Sequence, residues 1–175
     1  MQSQTTVVAG RDSEELAELG KLIKNVRTAM FTTRTSDGRL VSRPLATRDA
    51  PFDGTLWFFT ALDSNKVVQL NAEPRVNLSY AGPGDGAYVS IDGHAEVVRD
   101  RAMLDEFWNE AFDSIYFPAG KDDPNLVLIR VAVETAEAWT SSTTAIGRAF
   151  DFIKAKISGE MSDLGEQKHY EVRRA

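Results

Sequence analysis

Short β-forming segments separated by turn residues run through most of the chain, and they constrain its fold more than any other feature. Residues 29–35 (AMFTTRT) are rich in β-formers, and residues 36–39 (SDGR) carry an Asp-Gly hairpin signal. Residues 40–48 (LVSRPLATR) return as the partner strand, and Thr55–Thr60 (TLWFFT) follows Asp53-Gly54 as a third. In that third strand, Trp57 and Phe59 read as core on one face, with Phe58 on the other. Residues 75–80 (RVNLSY) alternate, so Val76, Leu78 and Tyr80 share a face. Residues 87–98 (AYVSIDGHAEVV) form a long strand with Gly93 as a bulge or bend. Residues 126–140 read as a buried strand followed by a final strand ending at Trp139. Helices fit between and around these segments. Leu16, Leu19, Ile23 and Val26 fall at helical spacing behind a candidate cap at Asp12 or Ser13. Ser64 is a candidate N-cap for a short helix that stops before Pro74. Asp100 can cap a helix with the stripe Leu104, Phe107, Trp108 and Ala111. About six strands with short turns and peripheral helices predict a mainly β chain, a closed antiparallel barrel with helices outside.

A length of 175 residues suits one domain, residues 1–175, with a core of about 13–140 and a C-terminal tail over 141–175. In the tail, residues 148–157 (RAFDFIKAKI) have weak helical character, and the rest is polar. The net charge of −6 argues against a nucleic-acid surface, which needs a basic face. The absence of cysteine excludes disulfides and thiolate chemistry, and it suits a reducing compartment. No signal-peptide pattern opens the chain, and no apolar run approaches the ~20 residues that cross a bilayer. A cytoplasmic protein without a membrane partner is expected.

Candidate chemistry gathers between Arg43 and Lys66. Arg43 lies on a strand, while Ser64 and Lys66 open a helix, whose N-terminus attracts anions. A guanidinium and a hydroxyl there would suit a phosphate. Pro44 interrupts the strand's donors next to Arg43. These residues alone leave two readings open, an anion site or ordinary solvated charges. Other candidates are weaker. Only His94 and His169 are present, so a histidine-rich metal site is excluded. Asp122-Asp123 reads as a solvated loop. No nucleophile elbow or Cys/His pair is present, and no catalytic residue can be named.

A set of motifs in order narrows the choice. The runs TSDGRLVSRPL, LWFFTALDSNKVVQLNAEPRVNLSY, SIDGHAEVVRDR, FWNEAF, FPAGKDDPNLVLIRV and AEAW resemble the bacterial general stress protein family. That family belongs to the pyridoxamine 5′-phosphate oxidase-like, FMN-binding split barrels. The resemblance runs from about Lys21 into the tail. It implies a six-stranded antiparallel split β-barrel with flanking α-helices, and a homodimer with FMN at the interface. It also implies roles for single residues. Arg43 matches the arginine that holds the FMN phosphate, and Ser64 and Lys66 match the phosphate-binding turn. Pro44 and Leu45 match the backbone beside the isoalloxazine, and Phe59 and Thr60 match an aromatic-Thr pair that contacts the flavin. Trp139 matches a tryptophan near the flavin of the partner subunit. Leu45 stands where the family usually has Met, a nearly volume-conserving change. Arg48 stands near the position where true oxidases carry a phosphate-binding lysine.

The function implied is an FMN-dependent oxidoreductase or electron carrier in the general stress response, with a nicotinamide as candidate electron donor. A flavin-binding or storage module without turnover is the alternative. A deazaflavin or haem pocket is a third reading, and haem would need His94 or His169 as its ligand. The tail, GEQKHYEVRRA, lacks the Arg-Leu-x-Pro-like ending of true pyridoxamine 5′-phosphate oxidases, so that reaction is not expected.

Overall fold

The alternating segments pair as β-strands around a core built from their inward residues. The structure, a computed structural model, describes residues 5–9, 14–82, 87–140 and 166–172. In chain order the elements are β1 (Thr5–Ala9), α1 (Glu14–Val26), β2 (Thr28–Arg34), β3 (Leu40–Ala46), β4 (Thr55–Ala61), α2 (Asn65–Ala72), β5 (Arg75–Gly82), β6 (Ala87–Val98), α3 (Arg101–Phe107), α4 (Glu110–Tyr116), β7 (Leu126–Thr140) and β8 (Glu166–Val172).

Six strands make the barrel expected from the sequence. Their neighbours run β3-β2-β5-β6-β7-β4, every pair antiparallel. The barrel is split rather than closed. Between β3 and β4 the connection shrinks to one bridge, Thr47 opposite Phe58, where the Arg48 N–H donates to the Trp57 carbonyl at 2.8 Å. The buried Tyr80 hydroxyl lies 2.8 Å from Thr47 Oγ1 and steadies that bridge from the core side. Pro44 therefore sits on a strand laddered on one side only, where a missing donor is tolerated. Gly93 marks a shift of register against β7, and a Cβ there would lie 2.5 Å from the Ala132 carbonyl oxygen, so the close approach requires glycine.

The core fills the barrel. Phe31 and Phe58 meet edge to face with centroids 5.4 Å apart, among Leu78, Ile91, Ile129 and Val131. From outside, α1 brings Leu19 and Ile23 to the same core. A second cluster covers the other face of β4. There Trp57 packs on Phe107, and Phe59 packs on Trp108 and Phe117.

Several expectations need correction. Two strands beyond the six are present, because β8 pairs antiparallel with β7 and parallel with β1. Part of the polar tail is therefore a strand, and its Tyr170 is fully buried in the main core. Residues 126–140 form one strand, not two. The helix behind Asp100 is capped as expected, with the carboxylate accepting from the Met103 N–H at 3.1 Å. It ends at Phe107, however, and Asn109 caps a separate α4. Residues 12–13 and 148–157, read as a cap and a weak helix, lie outside the described residues. Among the described residues, no helix is long and apolar enough to cross a membrane.

Candidate functional site

The split brings the charged residues of β3 and α2 together. Arg43 projects from β3, where Nη1 donates to Thr33 Oγ1 at 2.5 Å and Nη2 to Gln69 Oε1 at 3.1 Å. Thr33 Oγ1 in turn donates to Gln69 Oε1 at 2.6 Å. These contacts join β2, β3 and α2, and they fix the guanidinium with neutral partners only. On the other lip, Lys66 Nζ donates to Thr60 Oγ1 at 2.9 Å, and Ser64 Oγ lies 3.3 Å from the same hydroxyl. The turn between β4 and α2 sets this geometry. Ser64 is extended at φ −74°, ψ 148° and begins the helix, yet its side chain caps no helical N–H. The first turn of α2 carries no acidic residue.

The electrostatics are unusual for a chain of net charge −6. Arg43 and Lys66 are both partly buried, and among the described residues neither forms an ion pair with a carboxylate. Burial lowers the proton affinity of Arg43. Burial likewise holds the Lys66 ammonium below the ordinary lysine range, and the nearby Arg43 charge lowers it further. Two half-desolvated cations that repel each other are poised for an anion, which would relieve both costs.

The remaining predicted residues divide into two groups. Pro44 and Leu45 line a cavity of about 190 Å³ beside the split, together with Arg48 and Phe59. Phe59 packs its ring against Trp108 and Phe117 in the second aromatic cluster. Trp139 is not brought to the cluster. It faces Tyr88 on β6 and Gln167 on β8, about twelve residues farther along β7 than the Val127 that pairs with Thr60, roughly 40 Å as the strand runs.

The sequence pattern of the pyridoxamine 5′-phosphate oxidase-like family matches residues 14–163. The chain belongs to that family. Its relatives include protein bli-3 of Neurospora crassa, 27% identical over 163 residues, covering 87% of this chain and 78% of that protein. A candidate general stress protein 26 from Jannaschia sp. CCS1 superposes with a TM-score of 0.70 at 26% identity, covering 89% of this chain and 99% of that one. The general stress FMN/FAD binding protein of Xanthomonas citri superposes with a TM-score of 0.65 at 30% identity, covering 75% and 93%.

Sequence reasoning missed two residues of the candidate site, Thr33 and Gln69, which hold Arg43. Thr33 and Gln69 carry no signal of their own, since a buried threonine and a helical glutamine are ordinary. Arg48, noted in the sequence for standing near the position of a phosphate-binding lysine in true oxidases, has a different partner. Its Nη1 instead lies 2.7 Å from Asp113 Oδ1 on α4, with the two side chains only 9% and 3% exposed. Its guanidinium stacks over Phe59 at 4.6 Å. Arg48 is thus committed to α4 and is not a free cation for the Arg43–Lys66 cluster.

Proposed function

We propose that this protein binds FMN and works as a flavin-dependent oxidoreductase or electron carrier. The observation that carries the reading is the pair of partly buried cations, Arg43 and Lys66, held by neutral hydroxyl and amide groups with no carboxylate partner among the described residues. Their chemistry fits a phosphate: a two-pronged guanidinium, an ammonium, and hydroxyls at Thr60 and Ser64. Pro44 and Leu45 border the adjoining cavity, which suits the flavin ring. The name of the Xanthomonas citri relative, an FMN/FAD binding protein, supports the same cofactor. Bound flavin would supply the electron chemistry, and the chain's residues would supply position and electrostatics.

A homodimer completes this reading. Trp139 lies about twelve residues along β7 from the Val127 that pairs with Thr60, and on this reading its flavin contact is made by Trp139 of the partner subunit. The outer faces of β2, β3 and β6 support association, because Met30, Leu40 and Tyr88 are exposed there. Small hydroxyl residues lie between them, with Thr32 Oγ1 2.7 Å from Ser42 Oγ. A cytoplasmic location and a role in stress response complete the reading.

A storage module without turnover is the second reading. It is favoured by the absence of any carboxylate or imidazole bonded to the Arg43–Lys66 cluster among the described residues. Anaerobic addition of NADH or NADPH to the FMN-loaded protein separates the two. Bleaching of the flavin band is the expected result, and an unchanged spectrum with both donors would favour storage.

A further inference from the structure

The turn that presents Ser64 and Lys66 is held by a residue outside the cation cluster. β4 ends at Ala61 and α2 begins at Asn65, so Leu62, Asp63 and Ser64 alone make the connection. The Ser64 N–H closes the turn by donating to the Ala61 carbonyl at 3.1 Å. Asn125, the residue just before β7, bonds to this turn from across the sheet. Its carbonyl accepts from the Leu62 N–H at 2.7 Å, its Oδ1 accepts from the Asp63 N–H at 3.1 Å, and its Nδ2 donates to Asp63 Oδ1 at 2.9 Å. One end of the side-chain amide meets a donor and the other an acceptor, so only one orientation of the amide serves both.

Asn125 is itself fixed. Its N–H donates to Asp123 Oδ1 at 2.8 Å, and the Leu126 N–H donates to the Asp123 carbonyl at 3.0 Å. Leu126 then stands opposite Ala61 in the β4–β7 ladder, so the Asn125 bonds carry that register on to the residue before Ser64. Closing the ladder needs only the backbone bond to Leu62. The side-chain pair has a second consequence. Asp63 is next to Ser64 and three positions before Lys66, a separation at which a carboxylate and an ammonium can meet on a helical turn. Paired with Lys66, Asp63 would neutralise the cation before any anion arrived. Its Oδ1 instead accepts from Asn125, and Lys66 Nζ donates to the neutral Thr60 hydroxyl at 2.9 Å.

We infer that Asn125 is a positioning residue of the phosphate site. It fixes the turn that presents Ser64 and Lys66, and it keeps the Asp63 carboxylate in a hydrogen bond to an amide rather than in an ion pair with Lys66. The inference rests on the FMN reading above. It assigns the selectivity for a phosphate-bearing flavin to a residue that touches neither the phosphate nor the ring.

Titration of FMN and of riboflavin into the full chain and three variants tests this. Asp63 is exposed and Asn125 half-buried, so replacing them leaves the core intact. Asn125→Ala should weaken FMN by about tenfold or more and riboflavin by less than about twofold, so that the preference for FMN falls. Asn125→Asp keeps an acceptor for the Asp63 N–H but sets carboxylate against carboxylate, and it should weaken FMN at least as much. In the double variant Asp63→Asn/Asn125→Asp the two side chains exchange roles. The amide at position 63 then donates to the carboxylate at position 125, and FMN affinity should return to within about threefold of the parent. An unchanged preference for FMN in both single variants would overturn the inference. So would a loss shared equally by riboflavin, which marks a purely structural role, or a double variant no better than Asn125→Asp. A parent protein that binds FMN no more tightly than riboflavin would instead overturn the phosphate reading, and this inference with it, so the two failures are distinguishable.

Discussion

Arg43 and Lys66 are two cations close enough to repel, and among the described residues neither has a carboxylate to offset it. A fold keeps such a pair only at a cost, so the residues are best explained by what they bind. Removing either cation should delete one charge-assisted contact to the FMN phosphate, ~1.5–3 kcal/mol. In affinity that is about tenfold to hundredfold. Titration of FMN into Arg43→Ala and Lys66→Ala measures it, with riboflavin as the control that lacks the phosphate. Parent-like FMN affinity in both variants would remove the phosphate assignment.

The same pair sets a pH dependence. Lys66 holds its proton less tightly than an exposed lysine, first because burial strips water from the ammonium and second because of Arg43. Its folded pKa thus lies below its unfolded one. The charged ammonium costs stability at neutral pH, and that cost is relieved as the pH climbs from the folded value toward the unfolded value. Bound phosphate reverses the field and favours the charged form. FMN affinity should rise as the phosphate loses its second proton near pH ~6. It should fall again on the alkaline side, before the ~10.4 of free lysine. In Lys66→Met the alkaline fall should vanish. An identical alkaline limb in that variant would show that another group controls it.

Trp139 predicts assembly. On the proposed reading, in which Trp139 of the partner subunit contacts the flavin, a complete site takes two chains. Exposed Met30, Leu40 and Tyr88 are expected to be covered in a two-fold interface. Sedimentation equilibrium at micromolar concentration should report twice the 19.3 kDa chain mass. A monomer that still retains FMN would contradict the two-chain site.

The Arg48–Asp113 pair predicts an asymmetry in stability. Both side chains are almost fully buried, so removing one partner strands a charge. Arg48→Met or Asp113→Leu alone should cost on the order of 3–5 kcal/mol, whereas the double replacement should cost much less. Urea unfolding of the three variants tests this. Additive losses in the double variant would show that the charges do not depend on each other.

What the sequence made legible was local. The hairpin at Asp37-Gly38, the bulge at Gly93 and the helix start at Ser64 each follow from the conformational limits of one or two residues. The alternation of Val76, Leu78 and Tyr80 was equally readable, because a strand has only two faces. The rest depends on distant partners. Arg48 meets Asp113 across 65 positions, and no pattern near either residue announces it. In β8 only Tyr170 is buried among residues whose side chains are described, so a polar stretch with one aromatic did not read as a strand. Its ordering comes from β7 and β1, not from its own propensity. The break between α3 and α4 was hidden because Leu104, Phe107, Trp108 and Ala111 keep helical spacing across it, while Asn109 caps the next helix. Among the site residues, the positions of Arg43, Ser64 and Lys66 could be anticipated. Their neutral partners Thr33 and Gln69 could not, since each becomes meaningful only once three elements meet.

The last prediction concerns the reaction for which the family is named. Oxidation of pyridoxamine 5′-phosphate needs a second phosphate site over the flavin, and so a second group of cations. The sequence argument against it rests on the tail GEQKHYEVRRA, which lacks an Arg-Leu-x-Pro-like ending, and part of that tail, residues 166–172, forms β8 against β7. Arg173 and Arg174 lie outside the described residues. The structure offers a better argument. The charged residue nearest to serving as a second anion holder in the adjoining cavity is Arg48, and Asp113 neutralises it at 2.7 Å. A substrate phosphate there would meet a carboxylate and an aromatic wall rather than free cations. No pyridoxal 5′-phosphate should form when the FMN-loaded protein receives pyridoxamine 5′-phosphate and oxygen, as followed by aldehyde absorbance. Turnover in the ordinary enzyme range of ~1–10³ s⁻¹ would refute this and would require cations beyond the described residues to complete the substrate site.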